Sequence, residues 1–194
     1  MFLIIDSENS KILTSRKKLI KIKSENNLTK TQFAFINNLE EMYRLKKSRK
    51  QEDIKWNSLL SRVDIIPVEL ALAQAACESG WGTSGFAQRA NNLFGHWTYK
   101  QGSGIVPDKR EEGATHEIEI FRTVNSSVQK YMRNLNSNSA YYELRVLRKE
   151  MRKQERRIEG LVLSKGLRLY SGVGEKYIKT IDSIIKHNIK LMGR

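Results

Sequence analysis

The chain has 194 residues, 39% apolar and 29% charged, enough for one sizeable core. Lys and Arg total 35 against 21 Asp and Glu, a net charge of +14 that calls for an anionic partner. The one cysteine, Cys77, excludes an intramolecular disulfide and a cysteine zinc centre, and no apolar run approaches the ~18 residues of a membrane-spanning helix.

The first 25 residues are basic and mildly amphipathic, with Leu3, Ile12, Leu19 and Ile22 at apolar positions, and read as a helix. Met1-Phe-Leu-Ile-Ile is too short for the apolar stretch of a secretory leader and has no cleavage site after it, so the expectation is a leader already removed or another export route. Thr29-Lys-Thr-Gln32 has the form of a capping box. Phe33, Ile36, Leu39, Met42, Tyr43 and Leu45 then follow at three- and four-residue steps, the face of a packed helix. Lys46 to Asp53 is a polar, charge-dense joint, and a short helix with Ile54, Leu59, Leu60 and Val63 leads to Pro67.

Pro67 suits the first position of a helix, where its missing N–H would be unpaired in any case. Val68, Leu70–Ala73 and Ala75–Cys77 are small or apolar on every side, the mark of a buried helix. Gly80 fits the left-handed position that closes it. Between Trp97 and Thr123 the glycines 102, 104 and 113 and Pro107 argue for turns. Thr115 to Phe121 alternates, with His116, Ile118 and Ile120 on one face and Thr115, Glu117, Glu119 and Phe121 on the other, as in a strand of a small antiparallel hairpin or meander. Asn125-Ser-Ser can cap a helix marked by Val128, Tyr131, Met132 and Leu135. Leu144, Leu147, Met151, Ile158 and Leu161 mark a long basic helix, and Ile178, Ile181, Ile184, Ile185 and Ile189 the last one. The expected fold class is α+β and mostly helical, with one small antiparallel β insertion after the buried helix, the order of elements in the lysozyme superfold. The expected division is an N-terminal helical extension over 1–56 and a main domain over 57–194.

Glu78 ends the apolar helix and is followed by Gly80-Trp81-Gly82. Burial and the negative end of the helix dipole both disfavour its ionised form and raise its pKa, which suits a general acid. Trp81 is expected to fold back beside it as a nonpolar wall. A partly exposed Glu at a helix end, with Trp81 in the core, fits these residues equally well. General acid chemistry is often shared with a second carboxyl, and Glu117 and Glu119 share one strand face, where they also fit as solvated charges. Trp81, Phe94, Trp97, Tyr141, Tyr170 and Tyr177 are aromatic candidates for lining a binding cleft, and each alone fits the core or the surface as well. Asn91 and Asn92 suit acetamido groups or turn caps alike. His96, His116 and His187 are isolated, so no metal site is expected.

Two blocks, Glu78-Ser-Gly-Trp-Gly and Phe86-Ala-Gln-Arg-Ala-Asn-Asn-Leu-Phe-Gly-His-Trp97, closely resemble the bacterial Bax-type proteins of glycoside hydrolase family 73, N-acetylglucosaminidases of peptidoglycan related to the flagellar rod-cap hydrolase. The resemblance runs over about residues 57–194, through Arg62-Val-Asp-Ile-Ile-Pro, Thr115-His-Glu, Tyr131-Met-Arg-Asn-Leu-Asn and Gly166-Leu-Arg-Leu-Tyr-Ser. It implies a lysozyme-like fold whose cleft lies between the helical body and the β-lobe. It implies Glu78 as the acid and, through Thr115-His116-Glu117, Glu117 as base or stabiliser with Glu119 the runner-up. Trp81, Asn92, Phe94, Trp97, Glu119, Tyr141 and Tyr170 would contact substrate, the two tyrosines falling in stretches that match the family's tyrosine near the acid. Relatives of this type often carry a cysteine pair where this chain has Thr98 and Ser103, so no disulfide of that kind is expected here. The implied partner is peptidoglycan, cut on the reducing side of N-acetylglucosamine in the periplasm or cell envelope, with no cofactor. Nucleic acid is not expected, since no zinc-finger or RNA-binding signature accompanies the charge and Glu is interleaved with most basic stretches. The rivals are a lytic transglycosylase or muramidase on the same fold and an inactive wall-binding module.

Overall fold

The computed structural model describes residues 1–107, 110 and 113–191. Helix α1 (Phe2–Lys23) serves two cores. Its first half puts Ile5 into the main core, and its second half puts Leu19 and Ile22 into a smaller one with Ile36, Leu39, Tyr43, Leu59 and Val63. Those partners come from α2 (Lys30–Met42), the residue after it, and α3 (Trp56–Arg62) with its C-cap. The capping box of α2 forms as its sequence indicates: Thr29 Oγ1 accepts from the Gln32 amide at 3.2 Å, and Gln32 Oε1 accepts from the Thr29 amide at 2.8 Å.

Helix α4 (Val68–Ser79) holds the centre of the main core. Pro67 is its N-cap rather than its first helical residue, and Gly80, at φ 56°, closes it in the left-handed region. Just before α4, the buried Asn9 side chain of α1 holds the backbone of one residue: its Nδ2 donates to the Ile66 carbonyl at 2.8 Å, and its Oδ1 accepts from the Ile66 amide at 3.1 Å. Leu70, Ala71 and Ala73 then pack among residues of α6 (Val124–Ser137), α7 (Tyr142–Lys153) and α9 (Glu175–Asn188).

The short α5 (Gly85–Ala90) leads into a three-stranded antiparallel sheet of β1 (Trp97–Thr98), β2 (Gly104–Ile105) and β3 (Glu117–Glu119), with β3 in the middle. Trp97 pairs with Ile118 and Thr98 with Glu117 on one side; Gly104 pairs with Glu119 and Ile105 with Ile118 on the other. The fold is therefore α+β and mostly helical, as expected. The seven-residue alternation yields only three paired residues. Ile118 is buried, but Ile120 is exposed, because the Phe121 amide leaves the ladder to donate to the Ala90 carbonyl at 2.8 Å and buries Phe121 instead. Where relatives of the resembled type carry cysteines, the Thr98 and Ser103 hydroxyls meet at 3.1 Å across the β1–β2 turn.

Two further boundaries differ from expectation. Thr123, not Asn125, caps α6, its Oγ1 accepting from the Ser126 amide at 3.2 Å. The long basic helix stops at Lys153: Glu155 turns the backbone to φ 53°, so Ile158 packs from a loop, and Leu161 belongs to the one-turn α8 (Gly160–Leu163). Gly166 follows where a side chain is impossible, since a Cβ would lie 2.3 Å from the Leu144 amide nitrogen.

Candidate active site

Gln74 and Glu78 are four residues apart on α4 and share a face. Gln74 is fully buried and joins three helices. Tyr131 of α6 donates its hydroxyl to Gln74 Oε1 at 2.7 Å, and Gln74 Nε2 donates to the Tyr177 hydroxyl oxygen of α9 at 3.0 Å. Tyr177 is in turn hydrogen-bonded to the Glu78 carboxyl. With the amide in this orientation the Tyr177 oxygen is an acceptor toward Gln74, which leaves its own proton for Glu78.

Burial raises the pKa of Glu78, and the Tyr177 hydrogen bond, which favours the carboxylate, only partly offsets it. Tyr131, Tyr141, Tyr170 and Tyr177 all titrate above the ordinary tyrosine value; burial is the main cause for each, and the charge of Glu78 adds to it. Four neutral phenols therefore surround the carboxyl. Three of them pack ring to ring: Tyr170 stacks on Tyr177 with centroids 5.3 Å apart, and Tyr141 tilts against Tyr170 at 5.8 Å. Gly95, in the left-handed region at φ 64°, borders the carboxyl as well; a Cβ there would meet Glu78 Oε2 at 3.8 Å, an ordinary contact.

Trp81 does not form the expected wall. It follows Gly80 in the left-handed region too, at φ 58°, is 64% exposed, and lines a cavity of about 370 Å³ with Leu72, Ala75 and Ala76, a different face of α4 from that of Gln74 and Glu78. The tyrosines supply the wall instead. Phe94 is buried and stacked on Tyr131 with centroids 3.9 Å apart. Asn92 is buried and spent on its own loop: Nδ2 donates to the His96 and Glu119 carbonyls at 2.8 and 2.9 Å, and Oδ1 accepts from the His96 amide at 2.9 Å. Asn91 closes α5 at φ 50° and donates to the Phe121 carbonyl at 3.0 Å. Trp97 is 52% exposed and stacks on His116 at 4.2 Å. Tyr141 and Tyr170 belong to the phenol shell around Glu78.

The two strand carboxylates differ. Glu117 accepts from the Gly102 amide through Oε1 and from the Gly104 amide through Oε2, both at 2.8 Å, and so clasps the β1–β2 turn. The Gly102 amide is the main cause of its lowered pKa, and with those of Gly104 and Ser103 outweighs burial. Glu117 lies at the periphery, shielded from solvent by its own turn with little protein beyond. Neither Glu78 nor Glu117 is among the groups that shift the other. Glu119 forms an ion pair with Lys130 of α6. His96, held near pKa 4 by burial and then by Lys130, is neutral at pH 7. Among the described residues, no three His, Cys, Asp or Glu side chains gather as metal ligands, and no helix is long and apolar enough to cross a membrane.

Sequence reasoning gave no role to Gln74 or Tyr131. The available signal was a polar residue one helical turn before Glu78 in the apolar stretch Leu70–Cys77.

Residues 53–190 match the glucosaminidase family, described as mannosyl-glycoprotein endo-beta-N-acetylglucosaminidase. The chain is also 32% identical over 189 residues to protein bax of Escherichia coli (strain K12), an alignment covering 97% of this chain and 67% of that one. No solved structure matches the chain.

Proposed function

The chain belongs to the glucosaminidase family, and from that premise we propose that it hydrolyses peptidoglycan at the β-1,4 bond on the reducing side of N-acetylglucosamine, with Glu78 as general acid. The observation that carries this reading is the raised carboxyl of Glu78 in a shell of neutral phenols, with Tyr177 aimed at it. Protonated Glu78 gives its proton to the glycosidic oxygen as the bond to the leaving sugar breaks. The Tyr177 hydroxyl then stabilises the new carboxylate, whose charge would otherwise sit against nonpolar rings. Tyr177 therefore acts after the proton has moved, which is where an acid's conjugate base needs support. A water oxygen takes the leaving sugar's place on the anomeric carbon, directly or after an internal nucleophile, giving up a proton that restores a carboxyl.

Glu117 is the second carboxylate in this reading, kept ionised by the turn amides as a base or cation stabiliser must be. Each of its oxygens retains a lone pair beyond the one given to an amide. A second reading rests on the same observation: because both oxygens are already engaged, Glu117 holds the β1–β2 turn, and the N-acetyl oxygen of the substrate attacks the anomeric carbon. In both readings Trp97 offers an exposed ring for a sugar face, while Asn92 and Phe94 fix the loop and core behind it. The catalytic unit is taken as 57–194 in a lysozyme-like arrangement, with α1 bracing the start of α4 through Asn9. Action on the wall places the protein in the periplasm or envelope, and its positive charge suits an acidic wall.

Replacing Glu78 by Gln tests the assignment. The swap keeps shape and removes the transferable proton, so lysis of purified wall should fall at least ~100-fold, the lower bound for a general acid. Ionising a group whose folded pKa is raised works against the fold, so stability drops as pH rises from the ordinary glutamate value through the raised one. Glu78→Gln should remove that slope and cost no stability at neutral pH. Lysis above a few per cent of wild type would take the acid role from Glu78.

A further inference from the structure

Asp64 sits just before α4, and Glu78 near its other end, roughly 15 Å along the axis from the first residue of the helix at 1.5 Å per residue. Asp64 is buried and gathers three arginines. Arg152 donates to it through Nη2 at 2.8 Å and Nε at 3.2 Å, Arg16 Nη1 lies 3.4 Å away, and Arg148 Nε 4.0 Å. Arg148 is 1% exposed, and its other nitrogens donate to the carbonyls of Ile65 at 2.7 Å and Ser61 at 2.8 Å. Arg145, 4% exposed, donates through Nη1 to the carbonyls of Leu135 and Asn138. Among the described residues it has no carboxylate partner, and neither has Lys149. Lys153 pairs only with Glu150, at 3.3 Å on the exposed surface.

These side chains line one cleft of about 240 Å³ that holds six cations, Arg16, Arg145, Arg148, Lys149, Arg152 and Lys153, and one carboxylate, Asp64. Backbone carbonyls accept from Arg145 Nη1 and from both Nη groups of Arg148 but cancel none of their charge. Burial brings both down to about 10, which still leaves them ionised at neutral pH. Cations crowded out of water without matching anions repel one another, and a bound anion relieves that repulsion. A structural brace for the 61–66 segment needs the Asp64–Arg148–Arg152 contacts but not Arg145, Lys149 or Lys153.

We propose that this cleft is an anion site for a phosphoryl group, separate from the Glu78 centre and independent of what that centre hydrolyses. Six cations exceed what one carboxylate neutralises; the exposed ammonium groups of Lys149 and Lys153 are the donors offered to phosphate oxygens, and the engaged guanidiniums behind them add charge. The phosphoryl group has two possible sources. One is a soluble phosphate or pyrophosphate. The other is a lipid headgroup, for which the exposed Tyr142 and Val146, on α7 in the groove beside it, present apolar surface.

The test uses the full chain and the variant Lys149→Gln/Lys153→Gln, whose changes are confined to exposed side chains. Sodium pyrophosphate is titrated calorimetrically at constant ionic strength with sodium chloride as reference. Phosphatidylglycerol and phosphatidylcholine vesicles are co-sedimented with and without pyrophosphate. One-to-one binding of pyrophosphate, weakened fivefold or more in the variant with its unliganded melting temperature and wall lysis unchanged, is the expected result. Pyrophosphate binding without vesicle binding identifies the soluble source. Phosphatidylglycerol binding displaced by pyrophosphate identifies the headgroup. No saturable pyrophosphate binding beyond the chloride reference, vesicle binding that pyrophosphate does not displace, or equal affinity in the variant would each overturn the proposal.

Discussion

Changing Tyr177 to Phe separates a catalytic support from a core ring. The phenyl group keeps the stacking on Tyr170, whose centroid is 5.3 Å away, and deletes one oxygen. Two contacts go with it. Gln74 Nε2, fully buried, loses its acceptor at 3.0 Å, and an orphaned buried donor costs about 1–3 kcal/mol. At roughly 2–4 °C per kcal/mol for a chain of this size, the melting temperature should fall by about 2–12 °C. Glu78 loses the hydrogen bond that favours its ionised form. Such bonds to charged groups are worth about 1.5–3 kcal/mol, so turnover, which passes through a developing carboxylate, should fall roughly 10- to 150-fold. The sign for pH follows. Without the bond the carboxyl holds its proton to higher pH, so the alkaline limb of kcat/KM should move upward. The assay is release of soluble muropeptides from purified wall across pH, beside thermal melting. A lower melting temperature with unchanged turnover and an unmoved alkaline limb would refute the reasoning and leave Tyr177 as a packing residue.

Glu117→Gln should damage activity more than Glu119→Gln, because it breaks the clasp on the Gly102 and Gly104 amides, whereas Glu119 gives up a partly exposed ion pair with Lys130; wall lysis by the two variants compares them, and equal, mild losses would favour the substrate-assisted reading. The pKa of Glu117 is lowered, so the clasp is intact above the ordinary carboxylate range and is lost as pH falls through the lowered value; the amide proton shifts of Gly102 and Gly104 should report that loss at acid pH. Phe94→Ala should cost about 3–5 kcal/mol in denaturant melts because the ring is buried on Tyr131, while Trp97→Ala should raise KM for wall fragments and leave stability within ~0.5 kcal/mol.

The helices were legible where one local pattern determines them. Helix α4 could be placed from its all-round apolar face, Pro67 and Gly80, and α2 from its capping box. The position of Glu78 was legible too, because it depends only on where α4 ends. Of its surroundings, Tyr141 and Tyr170 were legible through the resemblance, but the Gln74 network was not. The Gln74 contacts span 57 residues to Tyr131 and 103 to Tyr177, and no periodicity within one helix reports on such pairs. The direction of Trp81 turned on two consecutive left-handed residues, the second of them a tryptophan, a conformation that L side chains seldom adopt. The break of α7 at Glu155 has the same origin, with no Gly or Pro to mark it. Glu117 and Glu119 shared a face in the alternating pattern, yet one clasps a turn and the other meets α6. Those partners depend on how the sheet folds over the helices, which alternation within β3 does not specify.

The central claim is hydrolysis after N-acetylglucosamine with Glu78 as the proton donor. Purified wall digested with the wild-type chain, reduced with borohydride and examined by mass spectrometry tests it most directly. Reduction marks the sugar at each newly made reducing end. The claim predicts N-acetylglucosaminitol ends from the wild type and none from Glu78→Gln. N-acetylmuramitol ends or 1,6-anhydromuramic ends as the main product would contradict it.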